Sequence, residues 1–229
     1  MEFKITEQFQ NLETTTAKSN YLEDVKIKAN ILETDEDEAN FVINEFTRLG
    51  YEEVANRYLD VLNIDKIHFH AWLEVDDFAS QIEFNIEKLY TRLTLIEDGY
   101  DAKLWFKGQT PEEIALWKTF RIFDTRPEIG DGKLAVYSIQ KGVAPPNEPA
   151  IYYINRAVAY KTNLTFNGYY EAVLDLLGIA DWQYLFTEVS ADDLKADGIY
   201  QKLKQALEAL QKAFPDKDYS RYFKLLEER

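Results

Sequence analysis

The sequence predicts an α+β fold in which a largely antiparallel, twisted sheet is flanked by helices, with a helical N-terminal section. Apolar residues in the first third recur every three to five positions, the spacing of one buried helical face. The middle of the chain is rich in Val, Ile and Tyr, which favour strands, and helical spacing returns near residue 165. At 229 residues, 46% of them hydrophobic, the chain is long enough for a large core.

We therefore expect residues 1–229 to form a single α+β domain with three parts. Residues 1–65 are predicted to be a mainly helical N-terminal section, residues 66–189 a sheet-containing core, and residues 190–229 C-terminal helices. No low-complexity linker separates these parts, which favours one domain over several.

The clearest helical pattern of the N-terminal section runs from residue 35 to residue 62. Four carboxylates open it, where they would face the positive end of the helix dipole, and Gly50 is placed to end the first of two helices. The same run is a candidate binding surface for a basic partner. Its residues are Asp35, Glu36, Asp37 and Glu38.

The stretch IHFHAWLEV at 67–75 contains both histidines of the chain. Its alternation predicts a strand with an apolar inner face and a polar face carrying His68, His70 and Glu74. Three such side chains are compatible with a metal site, but no cysteine or further histidine is present to complete one. We expect no metal and no cofactor, and keep this triad as the weak candidate for a metal-dependent hydrolase.

The next elements follow from spacing and capping signals. Residues 77–98 are predicted to be a helix because Phe78, Ile82 and Ile86 are four apart, and residues 100–106 a short strand. A further helix should begin after Thr110, since Pro111 suits the first helical position and Glu113 completes a capping box.

The second half should supply most of the sheet. Residues 133–139, 150–155 and 158–164 are predicted to be strands of one largely antiparallel sheet, because most connections are too short for a parallel crossover. Residues 165–177 are predicted to form a helix packed against that sheet. Two more helical stretches follow, the first ending before Pro215.

Composition excludes several functions. The net charge is −15, and residues 1–60 carry 14 acidic and 6 basic side chains. Such a field repels nucleic acid and anionic membranes and attracts cationic proteins. There is no cysteine, no leader-like N-terminus and no long apolar run, so we expect a cytoplasmic protein. No phosphate loop and no nucleophile beside a base is recognisable, so no motif in the sequence indicates a reaction.

Residues 127–179 resemble the SUKH superfamily, which includes fungal cell-wall synthesis regulators and many bacterial toxin-immunity proteins. In that pattern a turn leads into a strand, a proline-containing loop leads into a second strand, and a third strand ends at a capped helix. The matching positions here are Ile129, Gly130 and Asp131, then 149–154, then Leu164, Thr165 and Phe166, with Tyr170 and Leu174 in the helix.

The resemblance implies an α+β fold without enzymatic activity and, for bacterial members, binding to a cognate toxin. The function expected is therefore that of a bacterial immunity protein that neutralises a cationic toxin domain. The alternatives are a regulatory or scaffolding module of the same fold and the hydrolase described above.

Overall fold

The fold is α+β, as predicted, and is built around a seven-stranded sheet whose strands are all antiparallel to their neighbours. A computed structural model describes residues 5–31, 40, 43–44, 46–51, 64–87, 109–139 and 148–228. The strands lie side by side in chain order: β1 (Leu22–Ile31), β2 (Ile64–Val75), β3 (Phe78–Glu87), β4 (Phe120–Thr125), β5 (Leu134–Ser138), β6 (Ala150–Asn155) and β7 (Val158–Lys161).

The described helices mostly follow the sheet in the chain. They are α1 (Ile5–Thr16), α2 (Pro111–Trp117), α3 (Phe166–Leu176), a 3₁₀ helix (Trp182–Phe186), α4 (Ala191–Ala196), α5 (Ile199–Ala213) and α6 (Ser220–Glu227). The capping box at Thr110 and Glu113 is present, and the Thr165 hydroxyl accepts from the Gly168 N–H at the start of α3. No helix within these ranges is both long and apolar enough to cross a membrane.

Tight turns close two of the hairpins. The β2–β3 turn consists of Asp76 and Asp77, and the β6–β7 turn of Arg156 and Ala157. Three of these residues have positive φ, namely Asp76 at 52°, Arg156 at 50° and Ala157 at 61°. Two-residue hairpins require this region of φ because it matches the twist of the strands.

The two faces of the sheet are buried differently. One face packs with α3, the 3₁₀ helix, α5 and α6 into the main core, to which Phe69, Phe84 and Tyr137 contribute from the strands. On the opposite face, β4 to β6 form a second apolar cluster against Leu116 and Trp117, at the end of α2. The same face of β2 and β3 is polar, and there the histidine strand, β2, carries His68 and His70 opposite Asn85 and Glu83 of β3.

The N-terminal section differs from the prediction, because residues 22–31 form a strand instead of continuing a mainly helical region. Ile27 and Ala29 alternate along β1 and lie opposite Phe69 and Ile67 of β2. That pairing continues the sheet, and cross-strand packing outweighs the helical pattern around it.

The predicted helix at 77–98 is wrong over residues 78–87, which form β3. Phe78, Ile82 and Ile86 are four apart, and four is a multiple of the strand period of two as well as close to one helical turn. Their neighbour Phe84 has the same parity and belongs to the same core cluster as Ile82 and Ile86, as expected for one face of a strand. Asp76 and Asp77 are accordingly a hairpin turn and not a helix start.

Gly50 ends a helix, as predicted. It has a φ of 90°, its N–H donates to the Thr47 carbonyl at 2.9 Å, and the Tyr51 N–H donates to the Phe46 carbonyl at 2.8 Å. These two bonds define a Schellman ending, in which glycine tolerates the left-handed backbone. Most of the predicted helix pair at 35–62, and the predicted strand at 100–106, lie outside the described residues.

Candidate functional site

The histidine strand is a strand with the predicted faces, but its candidate ligands do not come together. His68 and His70 are 6% and 4% exposed, whereas Glu74 is exposed. Glu74 lies four positions beyond His70 along the strand, a span of roughly 14 Å. Among the described residues, no three His, Asp or Glu side chains are arranged to hold a metal ion.

The acidic neighbour of the histidines is Glu83 of β3, which lies opposite His70 in the sheet. One carboxylate oxygen of Glu83 lies 2.9 Å from Nε2 of His68 and accepts the Glu128 N–H at 3.0 Å. The other oxygen accepts the Ile129 N–H at 2.9 Å. Both oxygens are thus occupied by protein donors, and the carboxylate holds the turn before β5 against the sheet.

The buried ring of His70 has no hydrogen-bond partner at either nitrogen within the part of the chain that the structure describes. A buried N–H without an acceptor costs about 1 to 3 kcal/mol. Among the described residues, the strand therefore carries one histidine with a structural partner and one without.

A second buried carboxylate, Asp124, lies where β3 and β4 meet. It accepts the Asn85 N–H at 2.9 Å and the Tyr169 hydroxyl at 2.6 Å, and it is 4% exposed. Burial raises the pKa of Asp124 from 3.8 to about 6, although both hydrogen bonds act to lower it. A carboxylate enclosed in this way joins β4 to β3 and α3, and it is not accessible to a substrate.

Exposed carboxylates gather where β1 begins and where the β2–β3 hairpin turns. Leu22 lies opposite Leu73, and the Glu74 N–H donates to the Tyr21 carbonyl at 2.9 Å, so these segments are adjacent. Asp76 is paired with Lys212 of α5. The remaining four carboxylates are exposed and form no ion pair with any described residue, and we call them the acidic hairpin end: Glu23, Asp24, Glu74 and Asp77.

The predicted partner-binding run at 35–38 lies outside the described residues, so the structure places none of its side chains. Sequence reasoning missed the acidic hairpin end because its members are far apart in the chain and meet only when β1 pairs with β2. The signal available was two acidic pairs at strand ends, Glu23 with Asp24 and Asp76 with Asp77. Glu83 was missed because its segment was predicted to be helical.

Comparisons with protein families, with curated proteins and with solved structures found no match for this chain. The resemblance of residues 127–179 to the SUKH superfamily therefore stays a prediction.

Proposed function

We propose that this chain is a non-enzymatic protein-binding protein, specifically a bacterial immunity protein that neutralises a cognate cationic toxin domain. The observation that carries the proposal is the acidic hairpin end, four exposed carboxylates that form no ion pair with any residue the structure describes, on a chain with a net charge of −15. Charged groups that have no partner in the free protein lose no ion pair when a cationic surface binds them.

The physical mechanism is steering followed by occlusion. Clustered carboxylates produce a negative potential that accelerates encounter with a basic surface, and complementary potentials also fix the orientation of docking. A toxin that acts on nucleic acid presents such a basic surface to phosphates. Carboxylates that occupy the same surface would exclude the nucleic acid, so attraction and inhibition would have one cause.

The absence of an enzymatic role is supported by how the buried ionisable groups are used. The carboxylates of Glu83 and Asp124 are filled by backbone and side-chain donors, and Tyr169 is fully buried and bonded to Asp124. The absence of cysteine from the sequence suits a reducing compartment, and we place the function in the cytoplasm.

The test pairs this chain with the toxin domain encoded by the neighbouring gene. Co-expression should restore growth, the two proteins should form a complex, and the association rate should fall steeply with salt. Failure of both rescue and binding would overturn the immunity role. Binding without rescue would also overturn it, and would identify a regulatory or scaffolding module.

Charge variants locate the surface. Neutralising the acidic hairpin end with Gln and Asn should slow association about tenfold at low ionic strength and change dissociation much less. A control with the same charge change should slow it less than about twofold. The control replaces four exposed carboxylates of the C-terminal helical region: Glu188, Asp192, Asp216 and Glu227. Equal effects of the two sets would show that only net charge matters. The run at 35–38 is neutralised in parallel.

A further inference from the structure

A groove lies beside the acidic hairpin end, along the edge of β3 that faces away from β2. Its volume is about 650 Å³, and it is bounded by residues 78–80 of β3, by Ala180 and Asp181, and by one side of α5. The groove exists because the described part of β3 pairs with β4 at Asn85 and Ile86 and separates from it toward the β2–β3 hairpin.

The backbone groups on this edge can be assigned from their neighbours. The Glu83 N–H donates to the Gly178 carbonyl at 3.2 Å, and the Asn85 N–H donates to the Asp124 carboxylate at 2.9 Å, so both point away from β2. Because strand backbone groups alternate between edges, Ala79 and Gln81 point the same way. Apart from a bond from the Ser80 hydroxyl to the Gln81 carbonyl, the described residues provide no hydrogen-bond partners for these groups.

The open edge is therefore a template for one more strand. Gly178 already occupies the inner end of this edge, where its carbonyl accepts the Glu83 N–H. Among the described residues, the N–H groups left free are those of Ala79 and Gln81, so the open part of the edge spans roughly 7 Å and can pair with about three residues of extended chain. Main-chain hydrogen bonds would supply affinity, and side-chain pockets would supply specificity, as in other strand additions.

The lining indicates which side chains such a strand would carry. Phe78, Ala206 and Ala209 offer apolar surface on the α5 side of the groove, whereas Asp77 and Glu208 at its rim are exposed carboxylates without ion pairs among the described residues. Lys212 and Lys133 are neutralised by Asp76 and Asp181. The third lysine of the lining, Lys202, is exposed, so four acidic and three basic side chains leave the groove with a net charge of −1. An occupant with alternating apolar and basic residues matches this surface.

We infer that the open edge of β3 docks an extended segment of a cationic partner protein, added to the sheet as a strand. The inference rests on the proposed function for the identity of the partner, since the toxin domain would provide the segment. The edge itself can be tested with a peptide, so the two ideas can fail separately.

The probe is a synthetic peptide of alternating lysine and valine, about eight residues long, titrated into the full-length chain at low salt. Amide hydrogen exchange at Ala79 and Gln81 should slow about tenfold or more on binding. A peptide of alternating glutamate and valine should not bind. Methylating the amide nitrogens along one edge of the basic peptide should weaken binding about tenfold, the loss expected for one or two hydrogen bonds.

The matched protein variants are Ala79→Pro and Ala159→Pro. Each alanine is the second residue after a two-residue hairpin, and its N–H points away from the hairpin partner. The first change removes a donor from the open edge of β3, whereas the second removes one from the outer edge of β7. We expect Ala79→Pro to weaken peptide and toxin binding about tenfold, and Ala159→Pro to leave both within about twofold.

Several outcomes would overturn the inference. These are equal effects of the two proline variants, undiminished binding of the methylated peptide, and binding without protection of Ala79 and Gln81. Protection that rises with protein concentration alone would assign the edge to a second copy of this chain. If Ala79→Pro fails to fold, the methylated peptide still decides, because it leaves the protein unchanged. A toxin complex insensitive to Ala79→Pro would refute the edge and leave the immunity role standing.

Discussion

Replacing Asp124 with asparagine should flatten the pH dependence of the free energy of unfolding between about pH 4 and pH 7. The carboxyl group is enclosed by the Asn85 N–H and the Tyr169 hydroxyl. Burial raises its pKa from 3.8 to about 6, so the folded protein favours the protonated form. Asparagine has nearly the same shape, stays neutral at every pH, and keeps an oxygen for the Asn85 N–H.

The magnitude follows from the two pKa values. Below the unfolded value of 3.8 the group is protonated in both states, and its favourable contribution to stability is fully present. As pH rises through the folded value of about 6 the contribution is lost, because ionised Asp124 must remain buried. A shift of about two pKa units corresponds to about 3 kcal/mol. Stability contributed by this group therefore falls with rising pH.

The assay is urea unfolding at a series of pH values for the wild type, Asp124→Asn and the exposed control Asp192→Asn. The free energy of unfolding of Asp124→Asn, relative to that of the wild type, should increase by about 3 kcal/mol from low to neutral pH. All other titrations cancel in that difference. Tyr169→Phe should move the loss of stability to higher pH, since the Tyr169 hydroxyl lowers the pKa of Asp124.

Parallel stability curves for the wild type and Asp124→Asn would refute this reasoning. They would show that the carboxyl group has the same proton affinity in the folded and unfolded states, and hence that it is hydrated. A steeper curve for Asp124→Asn would be equally incompatible with a buried acid.

Three further outcomes are expected. Gly178→Ala should destabilise by about 3 kcal/mol or more, since a Cβ there would lie within 2.6 Å of the Glu83 carbonyl carbon. Gly198 also has positive φ, but a Cβ there would have no atom within 4 Å, so Gly198→Ala should cost only about 1 to 2 kcal/mol. Equal losses of stability for the two glycine variants in urea unfolding would contradict this expectation. Glu83→Gln should lower the free energy of unfolding by about 2 kcal/mol, whereas the exposed control Glu74→Gln should lower it by less than about 0.5 kcal/mol. A small loss in both variants would contradict the role of Glu83 in holding the turn before β5. Elemental analysis should find only substoichiometric transition metal, and a full equivalent lost on replacing both histidines would restore the metal hypothesis.

Local signals predicted much of the fold. The alternation around His68 and His70, the capping box at Thr110 and the short connections of the second half each depend on residues close in the chain. They correctly placed β2, α2, β5 to β7 and α3. They failed for β3, where apolar residues four apart fit two periods, and for β1, whose conformation depends on pairing with β2.

The candidate site was less predictable because it depends on which strands become neighbours. Glu83 faces His68 only through the register of β2 and β3, and Glu23 approaches Glu74 only through the register of β1 and β2. Neither register can be obtained from single-segment periodicity. The open edge of β3 cannot be predicted from the sequence either, because it depends on where the pairing of β3 with β4 ends.

The narrow junction between β3 and β4 has a consequence for how the molecule opens. Among the described residues, the only backbone pairs between the two halves of the sheet at this seam are Asn85 with Thr125 and Ile86 with Asp124. Native proteins open in cooperative units whose boundaries follow such weak junctions. We expect β1 to β3 and β4 to β7 to exchange their amide hydrogens as two separate units, each with its own free energy of opening. The sheet, continuous in strand order, would then behave under mild denaturant as two blocks that share one hinge line.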